Sequence, residues 1–73
     1  MDKKVKQVIK ELYERHNFKY DDSKDLYSNY ASQLMNLPYE DCLEFKDNKP
    51  NILGKERKFL VKLLVLSCLE ELQ

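Results

Sequence analysis

KERKFLVKLLVLSCLEELQ, residues 55–73, carries only two polar side chains, Lys62 and Ser67, between Phe59 and Leu69. A helix that is apolar most of the way round is a membrane span, a buried core helix, or a core helix that also meets a partner. The apolar run covers about eleven residues, against the roughly 20 needed to cross a bilayer, and Lys62 lies inside it. A span is therefore not expected, and burial by the rest of the chain is favoured over burial in a homodimer or another protein. On that reading Leu63 and Leu64 point inward, and an aspartate at either position should abolish folding.

The remaining sequence supplies amphipathic elements to wrap that helix. Val5, Val8, Ile9, Leu12, Tyr13 and His16 recur at i, i+3, i+4 and i+7, which predicts a helix over 2–16 with Asp2 in its first turn and Asn17 at its end. Leu26, Tyr27, Tyr30, Ala31, Leu34 and Met35 predict a second helix over 23–36, with Asp22 as the expected N-cap and Asp25 reaching back to it. Pro38, followed by Glu40 and Asp41, predicts a short third helix over 38–45. A competing reading pairs 43–45 with 52–53 as a small β-hairpin around KDNKP. Residues 46–54 hold Pro50 and the single Gly, so they read as a loop before a last helix over 55–72. The expected fold is all-α: one domain of 73 residues, a compact bundle of three or four short helices around the apolar C-terminal one.

Formal net charge is zero, but it is unevenly placed. Residues 1–19 carry six basic and three acidic side chains, 20–45 one and six, 46–62 six and two, and 63–73 none and two. Two basic blocks thus flank an acidic middle, suited either to complementary packing within the chain or to different partners. No strong whole-chain attraction to phosphate or to an anionic surface follows from a balanced charge.

Catalytic and metal chemistry find little footing. His16 is the single histidine, placed where a helix C-terminus can use it, and no nucleophile, base and orienting acid assemble around it. Asp21, Ser23 and Asp25 alternate like the first ligands of a calcium loop, but Leu26 stands where that loop needs Gly and Ser32 where it needs Glu. Cys42 and Cys68 have neither CxxC spacing nor a neighbouring His and read as buried thiols. No enzyme activity, cofactor or metal is expected, and the absence of a signal-like opening segment gives a cytoplasmic expectation.

Binding is the remaining class. Tyrosine is enriched where proteins meet, and Tyr20 and Tyr39 fall at element boundaries beside carboxylates. The expected surface combines Tyr20, Asp21, Asp22, Asp25, Tyr39, Glu40, Asp41 and Glu44 on a small regulator, adaptor or inhibitor of a larger protein. A homodimer through the C-terminal helix is a second partner expectation, and no membrane partner is expected. The alternative is a small DNA- or RNA-binding regulator using Lys3, Lys4, Lys6, Lys10, Arg15 and Lys19 with Lys46, Lys49, Lys55, Arg57, Lys58 and Lys62. Only two of the thirteen basic residues are Arg, the side chain that reads guanine and phosphate bidentately, so nucleic acid ranks below protein.

Overall fold

A computed structural model describes residues 2–71 as three α-helices, one 3-10 turn and a minimal β-hairpin. Helix α1 spans Lys3–His16, α2 Leu26–Met35 and α3 Ile52–Glu71; the 3-10 turn is Tyr39–Cys42, and β1 (Phe45–Lys46) and β2 (Lys49–Pro50) pair antiparallel. The protein is thus mostly helical, with a two-stranded sheet that an all-α reading omits. Leu72, which the sequence pattern adds to the last helix, lies outside the described residues.

Local chemistry sets each boundary. The Asp2 carboxylate accepts from the Lys4 amide at 2.7 Å and caps α1, and Asn17 closes it with φ 59°, the left-handed conformation that asparagine tolerates. Asn36 ends α2 in the same way at φ 56°. The N-cap of α2 is Asp25, three residues later than Asp22: its Oδ1 accepts from the amides of Tyr27 and Ser28 at 3.0 and 3.1 Å. Upstream, Asp21 is occupied in a tight turn, accepting from both the amide and hydroxyl of Ser23. The predicted third helix contracts to the 3-10 turn, and the chain then enters the hairpin. Asp47 and Asn48 take φ 53° and 62°, as a two-residue hairpin loop with both central residues left-handed requires, so register is Phe45 to Pro50 and Lys46 to Lys49. The hairpin is therefore tighter than one pairing 43–45 with 52–53.

Helix α3 begins at Ile52, and Gly54 is inside it rather than in the preceding loop. Gly54 is buried against the carbonyl of Leu43, which also accepts from the Asn51 side-chain amide at 3.1 Å. A Cβ at position 54 would stand 2.0 Å from the Leu43 oxygen. The glycine lets the helix start lie directly on the segment leaving the 3-10 turn.

The core joins Val8, Ile9, Leu12 and Tyr13 of α1, Leu26, Tyr30 and Ala31 of α2, Cys42, and Val61 and Val65 of α3. Helix α3 packs against α1, α2 and the 3-10 turn. Tyr13 sits edge-on to both Tyr20 and Tyr30, each at 5.3 Å between ring centroids, and Phe18 sits edge-on to Tyr30 at the same separation. Asn29 and Gln33 fasten the α1–α2 connection at Lys19: both side-chain amides donate to its carbonyl, at 3.1 and 2.9 Å, and Gln33 Oε1 accepts its amide at 2.8 Å.

The inward orientation expected of Leu63 and Leu64 is overturned, whereas Leu69 does pack against the core. Only Gly54, Val61 and Val65 of α3 are fully buried, whereas Leu63 and Leu64 are 46% and 37% exposed. Close approach explains the choice: small and β-branched side chains face the neighbouring elements, and Leu60, Leu63, Leu64 and Leu66 take the opposite side.

Candidate functional site

At about 100° per residue, Leu66, Phe59, Ile52, Leu63, Leu60, Leu53 and Leu64 fall within an arc of roughly 160° on α3, diametrically opposite Gly54, Val61 and Val65. All seven are exposed, between 37% and 72%. Glu56 and Ser67 are the polar side chains within this arc over 52–67, and both are exposed. Between Phe59 and Leu66 no polar side chain interrupts the arc, and such a cluster is unusual, since exposed apolar residues normally occur singly. Its N-terminal half opens into a groove of about 350 Å³ between Glu44 and the helix, floored by Ile52 and Phe59 and edged by Lys55, Lys58 and Lys62.

Charge around the face follows the helix direction. Lys55, Arg57 and Lys58 stand near its start, while the last described turn ends with Glu70 and Glu71 and has no base. Lys58 is already engaged, 2.7 Å from Asp25 Oδ2 and 3.5 Å from Glu44 Oε1. Burial is the largest single influence on both Asp25 and Lys58 and opposes their charge, but their mutual hydrogen bond and charge attraction, added to the other polar contacts of each group, together outweigh it. With help from the Ser28 and Tyr27 amides, the Asp25 carboxyl is held below its ordinary value, and the two carboxylates hold the Lys58 ammonium above its own. Arg57 donates to the Asp41 carbonyl at 2.8 Å.

The eight residues expected to form an acidic and tyrosine surface are distributed over the fold. Tyr20, Asp21 and Tyr39 line one shallow groove between the α1–α2 connection and Pro38. Asp22 and Asp25 border a second, near Lys6 and Tyr27, and Glu44 belongs to the groove on α3. Asp41 is paired with Lys46, beside an exposed Glu40 on the 3-10 turn. Several of the eight act within the fold: the Tyr39 hydroxyl accepts from the Asp25 amide at 2.9 Å, and the Tyr20 ring packs on Tyr13. Asp22 lies 3.7 Å from Lys6 at the surface.

Much of the basic complement is also engaged internally. Beyond Lys6, Lys46, Arg57 and Lys58, the ammonium groups of Lys10, Lys24 and Lys62 lie over the rings of Tyr20, Tyr39 and Tyr27 at 5.1–5.5 Å. His16 is exposed and stacks on Phe18 at 5.1 Å. Cys42 is fully buried, and burial pushes its thiol up; Cys68 is partly buried. Among the described residues no cluster of His, Cys, Asp and Glu could hold a metal ion, and no helix is long and apolar enough to cross a membrane.

The outward face of α3 was readable only as excess apolar residues: periodicity marks a buried stripe when polar residues occupy the rest of the helix, and here they do not. In comparison with known proteins, the chain matches no family model, no curated protein and no solved structure.

Proposed function

We propose that this protein is a non-enzymatic interaction module, a small regulator or adaptor that works by binding protein through the outward face of α3. The observation that carries this reading is the run of exposed Phe and Leu side chains from Phe59 to Leu66, opposite a core that is already closed by Val61 and Val65. Covering that face gains hydrophobic free energy without disturbing the fold. Of the carboxylates and tyrosines first considered for the contact, Glu44 stands at its edge, sharing the groove with Ile52 and Phe59. A compact arrangement of helices around α3, with one side of that helix left for a partner, is the architecture this function needs.

Leu63→Asp tests it. The substitution introduces a carboxylate at the centre of the open face, so the protein keeps its helical circular dichroism and thermal transition while losing stoichiometric protein binding. Loss of the folded state would place Leu63 in the core, and unaltered binding by a folded variant would remove the α3 face from the contact. Nucleic-acid binding is the competing function; affinity that falls steeply with salt and survives Leu63→Asp would establish it instead.

A further inference from the structure

Resting on the interaction reading, we infer that the occupant of this face is a second copy of the chain, with the two α3 helices antiparallel and their two-fold axis near Leu63. The area is sufficient. Seven large side chains with roughly 100 Å² open on each amount to about 700 Å², above the roughly 300–600 Å² of the largest patch on a typical monomer and close to the about 800 Å² that each partner gives a standard interface. A two-fold contact is also self-complementary, so one apolar face is enough to form it.

Charge chooses the direction. In a parallel pair the basic starts of α3 would meet one another, as would the Glu70 and Glu71 ends, and the helix dipoles would align unfavourably. In the antiparallel pair the acidic end of each helix lies along the start of the other, where Arg57 and Lys58 are held by Asp41 and by Asp25 with Glu44, and Lys55 is the cation that faces out. With the axis at Leu63, the partner's Glu70 comes level with position 56, and helical phase puts it on the same flank as Lys55. Lys55 is exposed and stands at the edge of the Ile52–Phe59 groove. Glu56 reaches the same region and repels the partner's Glu70, so removing its charge should tighten the dimer.

Sedimentation equilibrium of the full chain at low salt is the measurement, with circular dichroism as the check on folding. Expected are a dimer with Kd at or below about 10 μM, monomeric but folded Leu63→Glu, and weakening on the order of tenfold for Lys55→Glu or Glu70→Lys alone. The Lys55→Glu/Glu70→Lys double variant returns to wild-type affinity, because both symmetric pairs are restored with reversed sign, and Glu56→Gln binds more tightly than wild type. Charge reversals without effect on a dimer that Leu63→Glu still breaks would overturn the antiparallel arrangement. A wild-type chain monomeric to about 100 μM would overturn the second copy as occupant. In that event, a different protein bound by wild type and lost in Leu63→Glu preserves the interaction reading, whereas no protein bound at all removes both.

Discussion

Lys58 on α3 reaches Asp25 at the start of α2 at 2.7 Å, joining two elements 33 residues apart in the chain. The same carboxylate caps α2 through the amides of Tyr27 and Ser28. One side chain therefore fixes where a helix begins and what it packs against. Asp25→Ala removes both roles and should cost about 2 kcal/mol, whereas Asp25→Asn keeps a capping oxygen, loses the ion pair and should cost about half as much. Urea unfolding of the two variants separates the contributions; equal losses would assign the whole effect to the ion pair, and no loss in Asp25→Asn would assign it to the cap.

The pH dependence of stability follows from the same contact. The folded-state pKa of Asp25 is lowered from 3.8, so its contribution is present above that value and is lost as pH falls through the lower folded one. Asp25→Asn should flatten part of the acid limb of a stability profile measured below about pH 4. On the alkaline side Lys58 is raised from 10.5, and Tyr13 and Tyr30, through burial, from 10.0; these contributions are present below the unfolded values and lost as pH rises beyond them. An acid limb unchanged by Asp25→Asn would mean that other carboxylates carry it.

Gly54→Ala sets two effects against each other. In an exposed helix interior alanine is favoured over glycine by about 1 kcal/mol. Here the added Cβ would stand 2.0 Å from the Leu43 oxygen and 2.9 Å from its carbonyl carbon, both backbone atoms. The clash wins, and a net loss of about 3 kcal/mol is expected in denaturant unfolding. A stabilised variant would show that the start of α3 is not seated on Leu43.

The periodic segments of the chain were legible because their polar faces exist. Val8, Ile9, Leu12 and Tyr13 fall in the core as their spacing requires, and Asn17 ends α1 where its tolerance for positive φ suggests. Residue chemistry that is shared by neighbours was not separable by eye: Asp21, Asp22 and Asp25 are all capping types, and only the geometry of Ser23, Tyr27 and Ser28 assigns Asp21 to a turn and Asp25 to the helix. Helix α3 was the hardest case. An all-round apolar pattern carries no direction, so the inward arc was decided by which side lets backbones approach, through Gly54, Val61 and Val65. The candidate site is the complement of that choice, and tertiary packing had to be known before it could be located.

Two buried tyrosines of the core respond differently to loss of their hydroxyls. The Tyr13 hydroxyl donates to the Leu26 carbonyl, tying α1 to the first turn of α2. The Tyr30 hydroxyl is buried without a hydrogen-bond partner among the described residues. Removing a satisfied buried group loses a hydrogen bond, but removing an unsatisfied one relieves a desolvation cost. Tyr13→Phe should therefore destabilise by about 1 kcal/mol, while Tyr30→Phe should be neutral or stabilising by up to about 1 kcal/mol. Both rings keep their edge-on contact, so aromatic packing cancels from the comparison. Thermal unfolding of the two variants in parallel decides it: a loss at Tyr30 equal to that at Tyr13 would mean that an ordered water holds the Tyr30 hydroxyl inside the core.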